Sequence, residues 1–210
     1  MIPIIKNIGL IDYHCCWLKM KDFVANRQVL DNDQIWLLQH QDVFTMGANA
    51  SYDDIISNDN NIPIVQTDRG GKVTFHGLGQ IIVYLLLDIN RLQLNVRSLV
   101  QKLEFAIINC LKKLGINSYL SLNNPGIYID QDYNIKIASI GLKINKQGYC
   151  YHGISVNFAV NKKPFNDINI CGQVGMQIVN IIDLKPDLII ADVEQLLINN
   201  IVESLYNNTN

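Results

Sequence analysis

The chain of 210 residues has little of what marks a specialised environment. Its cysteines, Cys15, Cys16, Cys110, Cys150 and Cys171, are odd in number and form no C-x-x-C pair. That argues against a disulfide framework or zinc cluster, and for a reducing compartment. The histidines, His14, His40, His76 and His152, have no close spacing, so no metal site is expected. Charged residues are only 17% of the chain and the formal net charge is -2, which gives no support for a nucleic-acid face or a polybasic membrane surface. No apolar run approaches the roughly 20 residues of a membrane-spanning helix. Lys6 and Asp12 interrupt the early apolar residues and no small-residue cleavage site follows, so a secretory signal is not expected and a cytoplasmic location is.

What is present is an ordinary core composition, 49% hydrophobic. One domain over residues 1–210 is expected, long enough to bury roughly 70% of its unfolded surface. Ile2 to Leu10 reads as a first strand, and Asp12 as the N-cap of a helix with Tyr13, Cys16, Trp17, Met20, Phe23 and Val24 at helical spacing. Gln34 to His40 is a strand, and Val43 to Met46 its continuation or partner; Gly47 opens a polar connection to Asn61, and Ile62 to Gln66 is another strand. Ile81 to Leu87 follows, then a helix capped by Asn95 and stopped at Gly115, in which Cys110 is a packing residue. Asn124-Pro-Gly126 makes a turn before a short strand at Ile127 to Ile129. Ile135 to Ile144 and Cys150 to Val160 form a hairpin through Asn145 to Gly148, Pro164 to Gly172 is a loop, and Asp192 caps the last helix. Interspersed helices and strands with several short connections predict an α/β fold with a mixed sheet.

Three stretches carry chemistry. Arg69 to Gln80 reads RGGKVTFHGLGQ, with four glycines among Arg69, Lys72, Thr74 and His76. Such a stretch feeding a core strand lets backbone approach a ligand, unless it is a glycine-rich hairpin with no ligand. It lacks a Walker spacing. In IKIASIGLKI, Lys136 shares the face of Ala138, Ile140, Leu142 and Ile144, so it begins on the apolar side, where burial disfavours an ammonium; the alternative is that it snorkels to solvent. Cys171 stands outside any periodic pattern, before Gly172, and could act as a nucleophile if Lys136, His76 or His152 lies beside it. His152 falls in phase with Ile154, Val156 and Phe158 and reads as a satisfied core histidine, whereas Gly153, Ser155 and Asn157 project to the other face and could line a pocket. His14 and His40 read as surface or packing residues.

Taken in order, RGGKVTFHGLGQ, the KIASIG run at Lys136, HGISVN at His152 and the Cys-Gly at Cys171 resemble the lipoyl(octanoyl) transferase family over most of the chain. The resemblance implies a mixed sheet flanked by helices, like the catalytic domains of biotin and lipoate protein ligases, and a ping-pong transfer without metal or cofactor. Octanoyl-acyl carrier protein would donate the acyl group. The acceptor would be a lysine on the lipoyl domain of a 2-oxoacid dehydrogenase or of the glycine-cleavage H protein, and the enzyme would be a monomer. By motif, Cys171 would be the nucleophile and Lys136 its proton partner. Arg69, Gly70, Gly71, Lys72, Val73, Thr74, Phe75, His76, Ser139, Ile140, Gly141, Gly153, Ile154 and Ser155 would line the acyl pocket. The chain departs from the family at Leu78, Leu85 and Ile170, where prolines are usual. Two alternatives stay open: an ATP-dependent lipoate or biotin ligase of the same fold, and a non-catalytic carrier-protein-binding module.

Overall fold

The computed structural model describes residues 2–121, 126–129, 134–170 and 176–207. The nucleophile candidate Cys171 lies outside the described residues, as do Asn124 and Pro125 of the expected turn. The elements run β1 (Ile4–Ile11), α1 (Tyr13–Asn26), β2 (Gln34–His40), β3 (Val43–Met46), β4 (Ile64–Gln66), β5 (Val73–His76), β6 (Gln80–Asp88), α2 (Val96–Lys113), β7 (Tyr119–Leu120), β8 (Ile127–Tyr128), β9 (Ile135–Ile144), β10 (Tyr149–Asn157), β11 (Gln177–Ile178), α3 (Ile181–Leu184) and α4 (Ile190–Tyr206). No helix among the described residues is long and apolar enough to cross a membrane.

The large sheet is mixed, in the order β1-β2-β6-β10-β9-β8-β7, with β11 joining β9 in parallel. β6 is buried along nearly its whole length, and its alternation sorts the two cores. Ile81, Val83, Leu85 and Leu87 pack with α2 and α4, whereas Ile82, Tyr84 and Leu86 pack with α1. Helices on both faces explain why β6 reads as a continuous apolar run. The α/β expectation therefore holds, but β3 does not extend or pair with β2. It leaves to form a second sheet, β4-β3-β5, over its own core of Phe44, Phe75, Phe165 and Ile168. The stretch from Arg69 to Gln80 is consequently not one loop, because β5 runs through its middle with a turn on each side.

Local signals account for the helix ends. The Asp12 carboxylate accepts from Cys15 N–H at 2.8 Å, and Asn95 and Ser98 exchange a reciprocal pair of cap bonds at 2.9 Å each. α2 ends at Leu114 and Gly115 takes the left-handed position, φ +72°. α4 starts at Ile190, so Asp192 sits in its first turn and does not cap it; the acidic side chain there still faces the positive end of the helix. Part of the expected 164–172 loop is a 3-10 helix, Lys163–Asp167, begun by Pro164 at its first turn.

One buried ion cluster ties the far end of the sheet together. Asp33 Oδ1 accepts from Arg27 at 2.5 Å, Arg91 at 2.6 Å and Asp88 N–H at 2.8 Å, while Oδ2 accepts from Tyr206 hydroxyl at 2.8 Å. Arg27 and Asp33 side chains are almost fully buried. Removing the carboxylate leaves cations without their partner, which typically costs about 3–5 kcal/mol. Asp33→Ala is expected to lower unfolding stability by that amount in urea titrations, and a loss under about 1 kcal/mol contradicts this role.

Candidate active site

Pairing registers put chosen residues in rows on the α1 face of the large sheet. Tyr84, Gly153 and Gly141 lie directly opposite one another across β6, β10 and β9, and Ile82, Ser155 and Ser139 form the next row. The glycines leave a trough. At Gly153 an added Cβ would stand 1.9 Å from Val83 carbonyl oxygen, so only glycine fits there. Over this trough lies the turn before β5, docked by Gly70 N–H donating to Leu142 carbonyl at 2.9 Å.

The space between encloses a cavity of about 290 Å³. Of the motif residues, Arg69, Gly70, Gly71, Lys72, Val73, Thr74, His76, Ser139, Ile140, Gly141, Gly153, Ile154 and Ser155 line it. Phe75 does not. It alternates away from Thr74 and His76 on β5 and packs edge-on against Phe44 and Phe165 beneath the small sheet. The motif reading missed Tyr13, Asn49, Tyr84 and His152 as lining residues. Arg69 is a staple more than a wall. Its guanidinium donates to Thr45 carbonyl at 2.6 Å, to Lys72 carbonyl at 2.8 Å and to Gly70 carbonyl at 2.9 Å, closing the turn on itself and on β3.

In and behind the deep wall, polar atoms of His40, His76 and Tyr84 are held by neighbours. Of the two readings of His40, surface or packing, packing holds: it is fully buried, donates from Nδ1 to Ile11 carbonyl at 2.8 Å, and accepts at Nε2 from Tyr84 hydroxyl at 2.8 Å. His76 donates from Nδ1 to Gln80 Oε1 at 2.7 Å and stacks on Tyr13. Burial pushes His40 down to about 4 and His76 down to about 3, keeping both neutral.

His152 overturns its expected placement. Its φ is +61° in the middle of β10, in the left-handed region. Consecutive strand residues normally face opposite ways, but this twist sends Tyr151 and His152 together onto Asp68. His152 Nε2–H donates to Asp68 Oδ1 at 3.0 Å, Tyr151 hydroxyl donates to Oδ2, and Trp17 of α1 donates to Oδ1 at 2.9 Å. Burial alone would raise the Asp68 pKa, but these three donors outweigh it and hold the carboxyl well below its usual range. His152 is lowered, first by burial.

Lys136 is fully buried and does not snorkel. The strict alternation behind that expectation fails nearby: the β8–β9 register slips between Ile127 and Tyr128, and Ile137 as well as Ala138 reaches the core. The lysine runs over Gly126, φ +138°, where a Cβ would stand 2.8 Å from Lys136 Cε. Its Nζ lies 5.1 Å from the centre of the Tyr128 ring. Lys136 also pairs in register with Ile178 of β11, the strand that begins six residues after Cys171 in the chain. Of the other cysteines, Cys16 and Cys110 are pushed up to about 12 by burial, and Cys150 higher still.

Residues 12–202 match the model of the lipoyl protein ligase A/B catalytic domain. An octanoyltransferase of Nitrosomonas europaea is 42% identical, covering 97% of this chain and 95% of its own. One from Nitrosococcus oceani is 41% identical over 96% and 88%. Among solved structures, a lipoate-protein ligase A bound with ATP superposes with a TM-score of 0.79 at 16% identity, covering 98% of this chain and 86% of that one. The biotin protein ligase of Aquifex aeolicus in complex with biotin and ATP gives 0.60 at 14% identity, over 96% and 70%. These two share the fold.

The neutral histidines make the fold acid-sensitive with a defined sign. Above about pH 6.5, His40 and His76 are neutral in both folded and unfolded chains and contribute no pH dependence. As pH falls below that value the unfolded chain binds protons that the folded site refuses, so stability drops down to about pH 4, the His40 value. Two such groups give a slope of about 2–3 kcal/mol per pH unit, and His152 adds to it. Asp68 loses its bonds only below the ordinary carboxylate range. Urea unfolding between pH 7 and pH 5 is expected to show this slope, reduced in His40→Gln; a flat profile contradicts neutral burial.

Proposed function

The chain belongs to the lipoyl protein ligase A/B catalytic-domain family and is an acyltransferase, and on that premise we propose that it moves an octanoyl group from octanoyl-acyl carrier protein to a lipoyl-domain lysine through a thioester on Cys171. The observation that carries this reading is the fully buried Lys136, in register with the strand that follows Cys171. Octanoyltransferase relatives above 40% identity over nearly the whole chain favour it over an ATP-dependent ligase.

In the first half-reaction the Cys171 proton passes to Lys136, the thiolate attacks the thioester carbonyl, and the carrier thiol leaves with a proton. In the second, the lipoyl-domain amine attacks the acyl-enzyme, Lys136 takes the amine proton, and Cys171 is released as the sulfur leaving group. A thioester is already activated, so neither step consumes ATP. The cavity holds the acyl chain; Ser139, which lines it, follows Lys136 by three residues, about 10 Å along β9. The lysines in question would sit on the lipoyl domains of 2-oxoacid dehydrogenases or the glycine-cleavage H protein, and the enzyme would work in the cytoplasm as a monomer.

Intact mass spectrometry after mixing with octanoyl-acyl carrier protein tests this. Wild-type protein is expected to gain one octanoyl group, and Cys171→Ser none. Lys136→Met is expected to slow adduct formation by about 10²- to 10⁴-fold. An adduct that survives in Cys171→Ser, or product formed from free octanoate only when ATP is added, sinks the proposal.

A further inference from the structure

The inner wall of the cavity is more polar than a plain alkyl chain requires. Its mouth lies at exposed Asn49 and Gly71, and its deep side is formed by the rings of Tyr13, His76, Tyr84 and His152, all nearly inaccessible. Tyr84 hydroxyl is used by His40, and His76 Nδ1 by Gln80, whereas the buried Tyr13 hydroxyl has no hydrogen-bond partner among the described residues. His152 likewise has one free nitrogen, and it is an acceptor. Its Nε2–H is given to Asp68, a carboxylate held ionised by three donors, so Nδ1 must carry the lone pair. That Nδ1 is buried and has no hydrogen-bond partner among the described residues. His152 lines the cavity, whereas Asp68, which takes its Nε2–H, does not.

The backbone conformation makes this arrangement costly to keep. A histidine at φ +61° carries strain of about 1–3 kcal/mol. An ordinary strand conformation would point residue 152 toward the core of α2 and α4, beside Ile154 and Val156. The twist instead sets a neutral acceptor at the deep end of an acyl cavity. A wholly apolar chain there leaves Nδ1 desolvated and unpaired, whereas a hydroxyl on the chain satisfies it.

Resting on the reading of this cavity as the acyl site, we propose that it also takes medium-chain acyl groups bearing a hydroxyl on their distal carbons, with His152 Nδ1 accepting from that hydroxyl. His152 is then a specificity-determining residue: it selects a donor-bearing chain and makes or breaks no bond.

Calorimetric titration of the full chain with octanoic acid and with hydroxyoctanoic acids, the hydroxyl on each of the last three carbons in turn, tests this. At least one hydroxy acid is expected to bind about five- to hundredfold more tightly than octanoic acid. In His152→Asn, chosen because asparagine tolerates positive φ, that ratio is expected to fall to about one. The nitrogen resonance of His152 Nδ1 in histidine-labelled wild-type protein supplies a readout that does not depend on a variant folding. It should move on adding the tighter hydroxy acid and shift less with octanoic acid. Octanoic acid binding as tightly as every hydroxy acid overturns this inference while leaving the acyl-site reading intact. A preference that persists in His152→Asn removes His152 as the acceptor, and failure of all the acids to bind removes both readings.

Discussion

The site depends on the carboxylate of Asp68. It receives Trp17 from α1 and both Tyr151 and His152 from β10, and so ties the first helix and the sheet to the turn that covers the trough. Arg69, the next residue, does the complementary task by reaching into β3 and back to the carbonyls of its own turn. Two adjacent residues of opposite charge thus hold a glycine-rich segment that has few apolar contacts of its own. The strain at His152 is sustained by the same carboxylate, because the left-handed twist is what lets two consecutive strand residues reach one acceptor.

This arrangement also sets the electrostatics of the cavity. Burial keeps His40 and His76 uncharged, and each is oriented by a fixed hydrogen bond, so the inner rings present neutral dipoles, while the Arg69 guanidinium is tied into its own turn and Lys72 is paired with Asp54. An acyl chain can be desolvated against such a wall without stranding a charge. Lys136 does not line that cavity; its amine is enclosed between Gly126, Tyr128 and the start of β9. On the proposed reading, keeping the acyl cavity apart from this buried amine suits transfer from an already activated thioester, where proton movement is the main task left to side chains.

Much of this was legible in the residues. β6 and α2 announce themselves by an unbroken apolar run and by Asn95 and Gly115 at the helix ends, signals that depend on neighbours in sequence. The cavity lining was legible because glycines and small polar residues stand where strands usually carry branched apolar ones, as at Gly141, Gly153 and Ser155. Phe75 departs from the motif because β5 runs through that stretch, and a strand turns every second residue away. The departure of β3 was hidden, since four buried residues in a row suit either sheet. Tyr13, Tyr84 and His40 lie at ordinary spacing on regular elements, and only the fold brings them to one wall. The twist at His152 was illegible for a deeper reason: a positive φ at a residue other than glycine is imposed by tertiary partners, here Asp68, 84 residues away.

The central claim is that one cysteine carries the acyl group between two partners that never need to be bound together. Initial velocities measured with octanoyl-acyl carrier protein and a lipoyl domain varied against each other test it most directly. A covalent acyl-enzyme requires parallel lines in double-reciprocal plots, with carrier thiol released in the absence of the lipoyl domain. Intersecting lines, with no carrier thiol released until the lipoyl domain is added, would contradict it.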